Sequence, residues 1–310
     1  MANALALERV PAHLRQEVAR LAEASVATET RRGYNRMWDE FREFSQRFFP
    51  GEQVYRVSQE RLIAYVAHLS SLGRSHGGAM GALSAISWQL KFANQPDVPR
   101  SGYLDLVLKG MKKSSAAPQD VRTPVSLPIL RRLCKAVGDT TEYSAYEKCL
   151  FCCVMVTAFF GLFRASELVG KHRLEAADVM LQGSVRIRLR SAKNSAGQEH
   201  VVILAPQVSV PDLCPVAHIA RFLEQRRTTS RGFFVFRSGQ MLSQRFFTRE
   251  LKKWVQRAGL SALNITPHSF RIGGATFAFE QGMTEVQIQR LGRWKSNAFQ
   301  RYIRPWLLVL

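Results

Sequence analysis

The sequence predicts a mainly α-helical chain with a small antiparallel β-sheet: an N-terminal helical bundle followed by an α+β domain. Three observations carry this expectation. Apolar and aromatic residues recur at three- and four-residue steps through the first third of the chain. Strict apolar/basic alternation then occurs in Val185-Arg186-Ile187-Arg188-Leu189-Arg190 and is answered by Val201-Val202-Ile203-Leu204. A polar stretch of small residues from Lys112 to Asp120 ends a helical pattern between them. The expected division is a domain over 1–113, a linker over 114–122 and a second domain over 123–310.

The helical segments follow in order. Ala12 to Ala24 is amphipathic, with Leu14, Val18 and Leu21 at helical spacing. Thr28 opens a long helix whose Tyr34, Trp38, Phe41, Phe44 and Phe48 form an aromatic stripe, a pattern more typical of core than of a functional box. Ser58 heads a third helix, and Ala79 to Phe92 and Tyr103 to Lys113 complete the bundle. In the second domain, Pro128 to Val137 is helical, and Tyr146 to Phe160 is apolar enough to be buried. A hairpin follows, turning through Ser191 to Gln198, with one face packed and Arg186, Arg188 and Arg190 on the other. Three arginines on one strand face repel one another unless an anion lies across them, so phosphate contact stands beside a plain solvated face. From Pro215 to Tyr302 the pattern is helical again, including Phe246 to Ala258 and Ser269 to Gln281.

Composition narrows the function. Across 310 residues, 44 Lys/Arg against 24 Asp/Glu give a net charge of +20. That excess predicts a polyanionic partner, nucleic acid before an anionic membrane. The excess is uneven: residues 1–120 hold 16 basic and 12 acidic side chains, leaving 28 and 12 in the rest. Five cysteines in so long a chain argue against a secreted disulfide scaffold, and Cys149, Cys152 and Cys153 on the apolar helix read as small core residues. No apolar run reaches the ~18 residues of a membrane span, and the N-terminus lacks a secretory h-region. The expectation is an intracellular protein that contacts no membrane.

Four stretches in the basic half carry candidate chemistry. In Gly161-Leu162-Phe163-Arg164-Ala165-Ser166-Glu167, an arginine leaves an apolar helix and must meet an anion or a carboxylate. Glu167 lies one helical turn on, so a structural ion pair is an equal reading. In Pro267-His268-Ser269-Phe270-Arg271, an imidazole and a guanidinium sit side by side at a helix N-terminus, where the dipole favours an anion. The alternative is a capping histidine with a surface arginine. In Leu291-Gly292-Arg293-Trp294-Lys295-Ser296, after a helix opened by a Thr284/Gln287 capping box, Gly292 is expected to end the helix. The Trp294 indole is then either ordinary packing or a neutral donor to a phosphate oxygen. Last, Tyr302 in Arg301-Tyr302-Ile303-Arg304-Pro305 stands in a positive field that favours its phenolate.

In this order the stretches resemble the catalytic domain of the tyrosine recombinases, the phage-integrase-like and Cre-like family. Thr30-Arg31-Arg32-Gly33-Tyr34, with Trp38, Phe41 and Phe44, is similar to that family's helical, SAM-like core-binding domain. The resemblance implies a site-specific DNA recombinase or integrase working through a 3′-phosphotyrosyl intermediate. Its catalytic residues would be Arg164, Lys193 of the hairpin, His268, Arg271, Trp294 in the His/Trp place and the nucleophile Tyr302, with Glu167 in support. The bond energy is kept in the phosphotyrosine, so no ATP, metal or other cofactor is implied. Candidate DNA contacts are Arg31, Arg32, Arg186, Arg188, Arg190, Arg293 and Lys295. Implied partners are double-stranded DNA and further copies of the chain, a dimer on one site and a tetramer in synapsis. The location would be with DNA, in nucleoid, cytoplasm or nucleus.

The alternatives are a type IB-like topoisomerase and a catalytically silent DNA-binding protein of the same fold. The ending Tyr302-Ile303-Arg304-Pro305 resembles recombinases of mobile elements, including tyrosine-recombinase retrotransposons. Trp306 to Leu310 follow as an apolar tail, expected to dock in trans in short form, to reflect a different mode of docking, or to mark a cut chain.

Overall fold

The computed structural model describes residues 10–98, 101–114, 120–169, 174–190, 199–226 and 228–304. Lys193, the hairpin turn, most of the linker and the tail beyond Arg304 lie outside the described residues. The chain divides into two units, Met1–Asp120 and Val121–Leu310.

The first unit holds α1 (Ala12–Ala24), α2 (Thr28–Phe48), α3 (Gln59–Ser71), α4 (His76–Phe92) and α5 (Gly102–Ser114). Ser58 and Ser75 cap α3 and α4 by accepting from the backbone N–H groups of Arg61 and Gly78, both at 3.2 Å. Trp38, Phe41 and Phe44 of the aromatic stripe interlock with Tyr65, Leu62, Ile86 and Leu108 as the core. Tyr34 is only half-buried and meets Trp88, with ring centroids 5.9 Å apart. The Leu14, Val18 and Leu21 stripe behaves differently from expectation. It stays exposed, and α1 buries none of its residues among the described part of this unit.

In the second unit, α6 (Leu127–Asp139) and α7 (Ala145–Phe160) precede the short α8 (Ala165–Leu168). A three-stranded antiparallel sheet follows, formed by β1 (Val179–Gln182), β2 (Ser184–Leu189) and β3 (His200–Leu204) in that spatial order. Then come α9 (Pro215–Gln225), α10 (Gln244–Arg257), α11 (Pro267–Glu280), α12 (Glu285–Gly292) and a 3-10 helix, Asn297–Tyr302. β1 is additional to the expected hairpin. It joins β2 through Gly183 at φ 70, and its burial does not alternate cleanly enough to mark a strand. In β2 the alternation holds: Val185, Ile187 and Leu189 are buried while Arg186 and Arg188 face out.

Helix α7 is the centre of this unit. Nine of its side chains, from Leu150 to Phe159, are buried, so its periodicity is lost and its apolar run is the only sequence trace of its position. Cys153 is fully buried and Cys149 and Cys152 partly so, all as free thiols. Helix α11 crosses close to α7 and to the strand-like entry to α6. A Cβ added at Gly273 would lie 1.8 Å from the Val125 carbonyl oxygen, and one at Gly274 would lie 2.1 Å from that of Phe159. Only glycine allows backbone to approach backbone in this way. No helix among the described residues is long and apolar enough to cross a membrane.

The two alanine substitutions nearest in kind should therefore part company. On helix propensity alone each would stabilise by up to about 1 kcal/mol. Gly138→Ala in α6, with open space around the new methyl, should stay neutral or stabilise. Gly274→Ala should destabilise by about 1–3 kcal/mol through overpacking, as read from urea denaturation midpoints.

Candidate active site

The site is assembled around the turn that ends α7. The chain leaves Gly161 through Leu162, which is buried and held at a left-handed φ of 47°. Arg164 then becomes the N-cap of α8. The carboxylate of Glu167, the third residue of that helix, accepts from the Arg164 backbone N–H at 2.8 Å and from its Nη1 at 2.9 Å. Arg164 thus meets a carboxylate and remains partly open, its side chain 23% exposed against 4% for Glu167.

Helix α11 brings the second pair. Pro267 occupies its first turn, and Ser269 Oγ accepts from the Thr266 N–H at 3.0 Å. His268 shares a hydrogen bond through Nε2 with the Tyr302 hydroxyl at 3.2 Å. Arg271 is 0% exposed, and its guanidinium donates to the carbonyls of Leu162 and Gly292. The Trp294 ring covers it at 4.2 Å and the Tyr302 ring at 5.7 Å. Arg271 is therefore no surface arginine. Its Nε has no hydrogen-bond partner among the described residues.

Tyr302 closes the 3-10 helix that Ser296 caps. The Thr276 hydroxyl, on α11, lies 2.9 Å from the Tyr302 carbonyl oxygen and accepts from the Arg304 N–H at 3.0 Å. Arg304 in turn donates through Nη1 to the Arg122 carbonyl at 3.1 Å. The Trp294 ring centroid is 4.9 Å from that of Tyr302, and its buried Nε1 has no partner among the described residues. Gly292 is required here because a Cβ would fall 1.7 Å from the Trp294 ring.

Electrostatics at the centre are one-sided. Burial works to raise the Glu167 carboxyl, but the charges of Arg293, Arg271 and Arg164 and the Arg164 N–H outweigh it, holding it below the ordinary carboxylate range. Burial lowers Arg271, and the Arg293 and Arg164 charges add to the effect. Three guanidiniums thus share one carboxylate, an arrangement suited to receiving an anion.

Residues 130–305 match the sequence model of the Phage integrase family. The chain belongs to that family, the tyrosine recombinases. An "Integrase/recombinase xerD homolog" from Selenomonas ruminantium is 23% identical over 296 residues, covering 92% of this chain and 84% of the relative. The fold is shared with three DNA-bound recombinase structures. A lambda integrase dimer on a COC′ core site has a TM-score of 0.64 at 14% identity, covering 94% of each chain. The Tn1549 transposon integrase with transposon right end DNA gives 0.63 at 15%, covering 93% of this chain and 94% of that one. The XerH site-specific recombinase in a post-cleavage complex with difH gives 0.61 at 18%, covering 84% and 72%.

Within this family member the structure gathers Arg164, Glu167, His268, Arg271, Trp294 and Tyr302, while Lys193 lies outside the described residues. One expected DNA contact needs correction. Arg293 was expected to touch DNA, yet its side chain is 2% exposed and bound to Glu167 at 2.8 Å. It, not Gly292, is the left-handed residue that ends α12, at φ 58. Arg188 and Arg190 do not wait for an anion: Asp178, 3% exposed, lies 3.2 and 2.8 Å from them, and Glu175 lies 2.9 Å from Arg190. Arg186 is exposed with no carboxylate partner among the described residues. Lys295 is exposed, Arg31 pairs with Glu23, and Arg32 pairs with Glu29 at 2.6 Å. Thr276 went unnoticed in the sequence, since a lone threonine on an apolar helix carries no signal. Asp178 and Glu175 were equally silent, lying outside the alternating strand.

The Glu167 charge carries a stability signature. Its folded pKa is depressed, so its contribution is complete above the unfolded value of about 4.3 and drains as pH falls through the folded value. Glu167→Gln should cost about 3–5 kcal/mol at pH 7 by leaving buried guanidiniums unpaired. Below about pH 4.3 the wild type should lose stability faster than the variant, so that urea midpoints converge towards pH 3.

Proposed function

We propose that this chain is a site-specific DNA recombinase whose Tyr302 attacks the scissile phosphate and forms a 3′-phosphotyrosyl link, releasing a 5′-hydroxyl. The observation that carries the reading is the Tyr302 hydroxyl within hydrogen-bond reach of His268, beside the Arg164, Arg271 and Trp294 donors. The Tyr302 oxygen forms the new bond to phosphorus and its proton passes to His268 Nε2. Arg164 offers its exposed edge to a non-bridging oxygen. Arg271 has spent two donors on carbonyls, leaving its remaining N–H groups, including the orphaned Nε, for the phosphate. The unpartnered Trp294 indole N–H is a further neutral donor. Lys193 would protonate the leaving 5′-oxygen. Resealing runs the same steps backwards, so the bond energy is conserved and no ATP is needed.

Double-stranded DNA is the partner, with the +20 net charge supplying the sequence-independent attraction. The unit over 1–113 would serve as the core-binding DNA clamp, joined by 114–122 to the catalytic domain over 123–310. The solved relatives include a lambda integrase tetramer on a Holliday junction, and assembly of this chain as a dimer on one site and a tetramer in synapsis follows by analogy. The working location is inside the cell, with DNA. A type IB-like topoisomerase is not favoured, since the relatives above are recombinases and integrases.

Tyr302→Phe should bind DNA as the wild type does and form no covalent adduct on nicked duplexes, as read from denaturing gels. Because Tyr302 meets His268 and Arg271 of its own chain, a mixture of Tyr302→Phe and Arg164→Ala protomers should also form no adduct. Adduct from the mixture would show that the tyrosine is donated to a neighbour.

Lys193→Ala should be impaired on normal DNA and largely rescued by a 5′-bridging phosphorothiolate, whose thiolate leaves without a proton. Failure of rescue, measured as the cleavage rate ratio of the two substrates, would move the acid role to His268 or water.

A further inference from the structure

We infer that Arg293 is a positioning residue of the strand-transfer centre, fixing Arg164 through Glu167 and Arg271 through the Leu162 carbonyl. The inference rests on the recombinase reading above and adds a residue to it. Arg293 is unusual on two counts. It is a non-glycine residue in the left-handed region, and its guanidinium is buried. Glycine would relieve the first and a neutral side chain the second, so what Arg293 touches must account for both.

Its contacts are specific. Nη1 donates to the Leu291 carbonyl at 2.8 Å and to that of Gly161 at 3.3 Å. Nη2 donates to the Leu162 carbonyl at 3.0 Å and to Glu167 Oε2 at 2.8 Å. The Phe163 ring lies 4.8 Å from the guanidinium carbon. Glu167 Oε2 also accepts the Arg164 N–H, while Oε1 accepts Arg164 Nη1. One carboxylate therefore ties Arg293 to both the backbone and the side chain of Arg164. The Leu162 carbonyl accepts from Arg293 and from Arg271. One oxygen therefore ties Arg293 to Arg271.

Arg293 thus stands one atom away from each arginine assigned to the phosphate, yet is too enclosed to reach the phosphate itself. A planar fork can bridge a carboxylate and several carbonyls at once; an ammonium on a flexible stem cannot. Loss of Arg293 would free Glu167 to rotate onto Arg164 alone, drawing its guanidinium away from an incoming phosphate. A misplacement of about 1 Å in such a centre costs on the order of a hundredfold in rate.

The test uses the full chain and a nicked random-duplex DNA library that traps covalent adducts. Arg293→Lys and Arg293→Met are compared with wild type for DNA affinity, rate of adduct formation and the pH dependence of that rate. Expected are affinities within about threefold and adduct rates lower by about a hundredfold, with Lys recovering only part. The acid limb of the rate profile should move to higher pH. The charged groups facing Glu167 are Arg164, Arg271 and Arg293, and removing Arg293 weakens the hold on its ionised form. Millimolar guanidinium should restore part of the rate to Arg293→Ala and leave wild type unchanged. A merely structural arginine would lower affinity, rate and thermal midpoint together with no shift in pH profile, and that result would overturn the inference. So would an Arg293→Lys variant matching wild type in rate and profile. If Arg293→Met does not fold, the Lys variant decides. Absence of adduct from wild type itself would instead overturn the recombinase reading.

Discussion

Everything in the catalytic unit is arranged to satisfy one carboxylate among three guanidiniums. Glu167 is buried, and so are Arg271 and the side chain of Arg293, inside a fold whose surroundings are apolar rings. None of these charges could be left alone there. They are tolerated because they converge on each other and on the carbonyls that the α7 turn leaves unpaired. That convergence dictates the left-handed Leu162, the abrupt four-residue α8 and the left-handed end of α12. It also leaves a local excess of positive charge beside the Tyr302 hydroxyl, which is what an anionic substrate requires.

The second constraint is proximity. Gly273 and Gly274 let α11 lie on the backbone of neighbouring segments, and this brings His268 and Arg271 onto the Leu162 turn. Thr276 on the same helix then holds the chain on both sides of Ile303, through the Tyr302 carbonyl and the Arg304 N–H. One helix thereby positions His268, Arg271 and the segment that carries Tyr302. Rigid placement of this kind is what the proposed strand transfer at Tyr302 would draw on.

The count of 44 basic residues overstates the free positive charge that DNA would meet. Arg188 and Arg190 are neutralised by Asp178 and Glu175, and Arg293 by Glu167. Arg186, Lys295 and Arg301 remain exposed. The internal pairs shape the protein, and the unpaired exposed charges are those free to displace counterions from a phosphate backbone.

The order of elements was legible in the sequence because each rests on local chemistry. Ser58 and the Thr284/Gln287 box announce helix starts, and the Val185 to Leu189 alternation announces a strand with one packed face. The motif residues Arg164, Glu167, His268, Arg271, Trp294 and Tyr302 were legible too, since their types and order carry the family resemblance. What the sequence could not rank was which arginines face solvent. Arg293 and Lys295 look alike beside Trp294, yet one is buried on Glu167 from far upstream and the other is exposed. Arg188 resembles Arg186 in the strand pattern but not in its partner. Local periodicity reports which way a side chain starts out; only tertiary structure decides what waits there. A buried charge is settled by a carboxylate or carbonyl distant in sequence, and the long-range pairing that brings it near leaves no local trace.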